Sequence, residues 1–276
     1  MNDAIVIGFL QGLLEWLPVS SKSMIILYLV NAASISGEIA YSLAMFLHFS
    51  TATTALIMFR SDFLKVIKYV TSREYSSCKD ASVLFKNLLV TIVLGAAIGL
   101  PLYLLTKYLI LGLSGLLLTC FIGLFLIFTG LFLKFSKKSL TGFKSLRQIR
   151  TVDMVLAGFM QGLAALPGLS RSGLVASTFL MRNIEKETAI RLTFIISVPV
   201  IYGMAIAELF VGLGFRASLN EFGTINILIA LVTSFIMSLI SLRMMLELAK
   251  RLDFTKFLIC FGALTLGLSL SAMMLS

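Results

Sequence analysis

Charge is what this chain has least of. Only 13% of its residues are Asp, Glu, Lys or Arg, and just 13 are acids; an ordinary soluble domain carries roughly 25% charged residues. Apolar residues fill 59% of the chain and the mean hydropathy is +1.02. That balance excludes a soluble globular domain and reads as an all-α, polytopic membrane protein. Cys78, Cys120 and Cys260 show no C-x-x-C or zinc-ligand spacing, so a structural metal is not expected. Two of them sit in apolar runs, where cysteine is a small packing residue. A cleavable leader is not expected either, because Met1-Asn2-Asp3 lacks a basic start and no A-x-A site follows.

What is present is one pattern written twice. Gly8, Phe9, Gln11, Gly12 and Leu13 recur as Gly158, Phe159, Gln161, Gly162 and Leu163. One residue is then lost, and Pro18, Ser21, Lys22 and Ser23 become Pro167, Ser170, Arg171 and Ser172. Each copy sets a proline break and a Ser-cation-Ser triplet inside an apolar segment. Polar groups at membrane depth are costly and mark function. In corresponding positions of a duplicated chain they point to a shared site.

Six apolar stretches are long enough to cross about 30 Å of hydrocarbon: Ala40–Phe59, Ser82–Thr106, Leu113–Leu133, Ile190–Gly214, Thr224–Glu247 and Asp253–Leu275. Ala4–Leu17 with Met24–Ala33, and Val152–Leu166 with Gly173–Met181, are too short to span and are predicted to be re-entrant helical hairpins. The order is hairpin, three spans, hairpin, three spans. Three is odd, so the second hairpin enters from the opposite face, an inverted-topology repeat within a single membrane domain. Repeat one covers residues 1–135 with its hairpin at 4–33; repeat two covers 150–276 with its hairpin at 152–181.

The basic residues test that topology. Stretches 60–81, 134–151, 182–191 and 248–256 would share one face, and they hold 17 of the 23 Lys and Arg. The other face has Lys107 and Arg216. By the positive-inside rule the basic loops are cytoplasmic and both termini lie outside. Loop orientation, with attraction to anionic headgroups, accounts for the net charge of +10 without a nucleic-acid partner.

Gln11 and Glu15 are four apart and share a helix face before the Pro18 break. Glu15 is the one acid placed deep in a hairpin. It reads as a general base, a metal ligand, or a charge partner for Lys22 or Arg171. Ser20, Ser21 and Ser23, like Ser170 and Ser172 after Pro167-Gly168, fall at the start of a second helix. Serines there cap free N–H groups. The same place suits an anion, because N–H groups and the helix dipole converge on it. Arg171 suits bidentate phosphate contact and Lys22 acts as a point charge. His48, the only histidine, lies within Ala40–Phe59 and reads as an interhelical hydrogen bond or a proton shuttle. Glu208 reads as a snorkelling or paired group, and Gly95-x-x-x-Gly99 as a close-packing signal.

These residues resemble the undecaprenyl pyrophosphate phosphatase family, also called the bacitracin-resistance family. Its first signature, Glu/Gln-x-x-x-Glu followed by Pro-x-Ser-Ser, is met by Gln11, Glu15, Pro18, Ser20 and Ser21. Its second, Pro-Gly-x-Ser-Arg-Ser-x-x-Thr, is met by Pro167, Gly168, Ser170, Arg171 and Ser172, with Val175 in the last place. The resemblance implies six spans, two re-entrant hairpins and removal of the terminal phosphate from a polyprenyl diphosphate lipid. It implies Glu15 as acid/base or metal contact, Ser21 as nucleophile, Ser170 and Arg171 as phosphate binders, and a divalent cation, Mg2+ or Ca2+. The family pattern has Gly-His where this chain has Ser23-Met24. A second class is therefore kept beside the enzyme: a flippase or non-catalytic receptor for a lipid phosphate, built on the same inverted repeat. Oligomeric state is left open, a homodimer included.

Overall fold

The computed structural model describes residues 2–72, 79–136, 143–211, 213–248 and 255–275. Cys78, Asp253 and parts of three of the basic stretches lie outside the described residues.

All six expected stretches form long helices: α3 (Gly37–Met58), α5 (Lys79–Gly112), α6 (Gly115–Ser136), α9 (Lys186–Val211), α11 (Thr224–Leu248) and α12 (Thr255–Leu275). Each is long and apolar enough to cross a bilayer, and the chain is an integral membrane protein. No strand occurs among the described residues. The short segments form two helix pairs, α1 (Asn2–Leu14) with α2 (Ser21–Asn31) and α7 (Thr151–Leu163) with α8 (Arg171–Met181).

Two further helices were not expected. The stretch 60–81, read as a basic loop, contains α4 (Arg60–Thr71), and the stretch Ile190–Gly214 gives way to a separate α10 (Leu213–Glu221). α4 is amphipathic, with Leu64, Ile67 and Val70 exposed and Asp62 buried. Its basic residues hide it from a search for continuous apolar runs. α5 is also longer than its apolar stretch, at 34 residues with Pro101 inside.

The helices pair across the two halves. α1 lies along α11 and α7 along α5, while α3 crosses α9 and α6 runs beside α12. The repeated glycines make the first two contacts. A Cβ on Gly12 would come within 2.7 Å of Met237 Cβ, and one on Gly162 within 2.7 Å of Ile98 Cβ. Gly99 faces Gly162, so the Gly95-x-x-x-Gly99 signal marks this crossing. Small residues let backbones approach closely where lipid removes the hydrophobic drive for association.

Each hairpin is also tied at its open end by an acid in its first helix. Tyr28 Oη donates to Asp3 Oδ1 at 2.6 Å, and Arg182 Nε donates to Asp153 Oδ1 at 2.6 Å. Asp153 is 150 residues after Asp3, the offset of the repeated glycines.

Candidate functional site

Both breaks are built by local backbone chemistry. α1 and α7 end in tight turns, Leu17 N–H to Leu14 O at 3.2 Å and Leu166 N–H to Leu163 O at 3.1 Å. Pro18 and Pro167 follow; a proline disfavours the helical conformation in the residue before it. After Pro167, Gly168 adopts φ +98°, a conformation open to glycine at little cost. A Cβ there would also press within 2.9 Å of Ile122 O.

The two breaks clasp one another. Lys22 Nζ reaches across to donate to Ala164 O at 3.0 Å and Ala165 O at 2.6 Å. Ser172 Oγ reaches the other way to Leu17 O at 2.7 Å. Gly168 N–H donates to Ser23 Oγ, which also bonds Ser20 Oγ at 2.7 Å. Tyr41 Oη donates to Ala165 O at 3.3 Å. Trp16, in the first break, is anchored by Nε1 donating to Ser238 Oγ at 2.8 Å. Helix ends leave orphan carbonyls and N–H groups; here each hairpin satisfies those of the other.

Glu15 stands at the centre, buried. Its Oε1 is paired with Arg171 Nη2. Its Oε2 accepts from Ser21 Oγ at 2.7 Å and from Gln11 Nε2 at 2.8 Å. His48 Nε2 lies 3.2 Å from the same oxygen. His48 Nδ1 is 2.6 Å from Ala44 O, and a carbonyl can only accept, so Nδ1 carries a proton.

These groups surround one cavity of about 40 Å³, lined by Glu15, Ser20, Ser21, Lys22, His48, Ser170, Arg171 and Ser172 among others. The N-termini of α2 and α8 both open on it. Ser170 caps its helix, accepting from Gly173 N–H at 3.2 Å; Ser20 makes no such cap. Of the site residues singled out in the sequence, Gln11, Ser23 and Gly168 are absent from this lining; Gln11 reaches the site through Glu15, and Ser23 and Gly168 spend their polar groups on each other. Met24 is half-buried and packs against the hydrophobic core. Glu208 lies apart from the cavity and is fully buried, paired with Lys107 Nζ at 2.9 Å and with Tyr103.

The family profile described as "Bacitracin resistance protein BacA" matches residues 4–267. A protein named undecaprenyl-diphosphatase from Methanococcoides burtonii is 34% identical over 269 residues, covering 96% of this chain and 97% of the relative. Its namesake in Methanopyrus kandleri is 32% identical over 272 residues, covering 99% and 97%. That in Methanothrix thermoacetophila is 32% identical over 267 residues, covering 97% and 96%. The chain belongs to the undecaprenyl-diphosphatase family.

The undecaprenyl-diphosphatase resemblance implied a divalent cation, and the donor set can be tested for one. Among the described residues no three His, Cys, Asp or Glu gather into a cage. Glu15 is one carboxylate, and beside it Gln11 Oε1 is a buried oxygen without a hydrogen-bond partner. Magnesium is commonly held by one or two carboxylates together with substrate phosphates. Glu15 is thus the one protein carboxylate on the cavity for a cation that arrives with a diphosphate, and both its oxygens are already engaged by Arg171, Ser21 and Gln11.

Trp16 and Tyr41 carried no sequence signal as site residues, because an apolar segment hides a single aromatic. Gln161 did carry one. It is the repeat partner of Gln11, and it lines the cavity with both its Oε1 and Nε2 buried and unpartnered.

Proposed function

We propose that this protein is a polyprenyl diphosphate phosphatase that releases inorganic phosphate and leaves the lipid monophosphate. One observation carries the reading: Ser21 Oγ donates to Glu15 Oε2 at 2.7 Å while Arg171 holds the other carboxylate oxygen. A hydroxyl bonded to a base, with the base oriented by a third group, is the arrangement of an activated nucleophile.

The terminal phosphate enters as Arg171 exchanges part of its contact with Glu15 for phosphate oxygens. Arg171, Ser170, Ser172 and the N-termini of α2 and α8 then bind the headgroup. Ser21 Oγ attacks the terminal phosphorus in line, and the bond to the bridging oxygen breaks with its electron pair leaving on the lipid monophosphate. The Ser21 proton passes to Glu15 Oε2, the oxygen that His48 Nε2 also faces at 3.2 Å. Water attacks the phosphoserine, the phosphorus–Oγ bond breaks, and Ser21 recovers a proton from Glu15. Lys22, fixed between the breaks, adds positive potential to a transition state whose charge spreads over the phosphoryl oxygens. A divalent cation would be held by Glu15 together with the substrate's phosphates, and would supply further charge neutralisation.

The membrane arrangement proposed with this is two inverted repeats in one domain, with hairpins re-entering from opposite faces. It is supported by the exchanged partners, α1 on α11 as α7 on α5, and by α3 and α6 meeting their own counterparts α9 and α12. The basic loops face the cytoplasm and both termini the outside, as the 17 loop cations suggest.

The test is phosphate release by the purified protein from farnesyl diphosphate, a 15-carbon prenyl diphosphate, with magnesium. Wild type turns over, and Ser21→Ala loses about a thousandfold. Undiminished release by Ser21→Ala rejects the serine step. Binding without any release by wild type favours a lipid-phosphate carrier, since hydrolysis needs no second compartment.

A further inference from the structure

Hydrolysis of a phosphoserine at Ser21 needs a hydrogen-bond acceptor for the attacking water, and Glu15 cannot supply it. At that stage Glu15 Oε2 holds the proton that must return to Ser21, and Oε1 is paired with Arg171. His48 turns Nδ1 to Ala44 O and Nε2 to Glu15. Lys22 and Arg171 can only donate. Ser20 Oγ is bonded to Ser23, Ser170 Oγ to Ser172 and Gly173 N–H, and Ser172 Oγ to Leu17 O.

Gln161 is differently placed. Among the described residues lining the polar cavity, it is the one whose side-chain oxygen has no hydrogen bond. Its Nε2 is unbonded too, and the residue is only 3% exposed. The repeat explains why. In the first copy Gln11 Nε2 donates to Glu15 at 2.8 Å. In the second the position of Glu15 is taken by Ala165, and Gln161 loses its acceptor. Gly95 on α5 leaves the amide room, since a Cβ there would come within 3.2 Å of Nε2. A buried amide with both ends unbonded costs the fold free energy. A ligand that presents an acceptor beside a donor would offset that cost, and a phosphoryl oxygen next to a water is such a pair. The cavity of about 40 Å³ has room for about three waters, so a group bound in it lies close to the whole lining.

We propose that Gln161 orients the water that hydrolyses the phosphoserine, with Nε2 donating to a phosphoryl oxygen and Oε1 accepting from the water. This rests on the phosphatase reading and deepens it by giving the second half of the reaction its own residue. The water oxygen bonds to phosphorus as the phosphorus–Oγ bond breaks. The electron pair of that bond goes to Ser21 Oγ, which takes back the proton held by Glu15. Both water protons leave on dihydrogen phosphate. Gln161 neither gains nor loses a proton; it fixes where the water stands and which way its lone pair points.

The experiment is rapid quenching of the full purified chain with magnesium and farnesyl diphosphate labelled in its terminal phosphate. Farnesyl monophosphate, free phosphate and label retained on the acid-denatured protein are measured together. Gln161→Leu and Gln161→Met each give a burst of about one farnesyl monophosphate per chain, then release phosphate about a hundredfold more slowly than wild type, with label held on the protein. Neither variant melts below wild type, because the amide it removes had no partner. Farnesyl monophosphate and phosphate slowed equally, with no label retained, would overturn the proposal and leave the phosphatase reading in place. So would rates equal to wild type, and so would a melting temperature lowered in both variants, which would make the amide structural. A wild type that forms no farnesyl monophosphate overturns the phosphatase reading itself.

Discussion

Lys22 separates two accounts of how this site is held together. Read from sequence, it is a point charge for phosphate. In the structure its Nζ donates to Ala164 O and Ala165 O and lies 5.8 Å from the centre of the Tyr41 ring. Lys22→Met keeps the chain length and removes the donors. Ala164 O is then left without that bond, at a cost of about 1–3 kcal/mol for a buried unsatisfied carbonyl. Ala165 O keeps the Tyr41 hydroxyl at 3.3 Å, so its loss is limited to about 1 kcal/mol. The net destabilisation is about 2–3 kcal/mol, or a fall in melting temperature on the order of 5–10 °C. Lys22→Arg, which retains donors, recovers part of it. The assay is thermal unfolding in detergent, run beside pyrophosphate binding. A Lys22→Met protein that melts like wild type yet no longer binds pyrophosphate would refute the clasp and return Lys22 to the ligand.

Other consequences follow from the same geometry. Gly162→Ala and Gly12→Ala each force a Cβ to within 2.7 Å of a neighbouring Cβ; each should lower stability by about 1–3 kcal/mol, and an unchanged melting temperature in both would remove the close-packing argument. Asp153, outside the six spans, feels burial that raises its pKa, but the Arg150 N–H, Arg182 and Lys144 outweigh it and hold the carboxyl below its ordinary value of 3.8. Its folded pKa is depressed, so its stabilisation is complete above the unfolded value and is lost as pH falls through the folded one. Thermal stability should drop below about pH 4, and Asp153→Asn should flatten that step. His48→Phe should cut phosphate release by about a hundredfold, while Met24→His should neither raise the rate nor rescue His48→Phe, because Met24 packs against the core and is absent from the cavity lining. A rescue would show that the imidazole can act from the position the family pattern gives it.

Much of this fold was legible because lipid simplifies the code. Spans are long apolar runs, and a duplicated Pro break with Ser-cation-Ser stands out against them. Glu15, Ser21, Lys22 and Arg171 could be singled out since polar and ionisable groups within apolar segments need a reason to be there. What stayed hidden depends on long-range geometry. α4 carries too many cations to register as an apolar run, and it packs through Phe63 and Val66 on the core and through Asp62 meeting Arg191 at 2.8 Å. His48 is 33 residues beyond Glu15 on another helix, so only the crossing of α3 with the first hairpin brings its imidazole to the carboxylate. Ser20, Ser21 and Ser23 look alike in sequence. One Oγ faces the base, while the other two bond each other and one of those holds Gly168. The loss of the carboxylate at Ala165 was plain in the repeat, but its effect on Gln161 needed three dimensions.

The central claim is that Glu15 from one half and Arg171 from the other form one unit around the substrate's head. A double-mutant cycle on phosphate release from farnesyl diphosphate addresses it directly, using Glu15→Gln, Arg171→Ala and both together. If the two act as a unit, the double variant is about as slow as the worse single one. Losses that multiply across the pair would mean the two side chains work independently, and the account would fail.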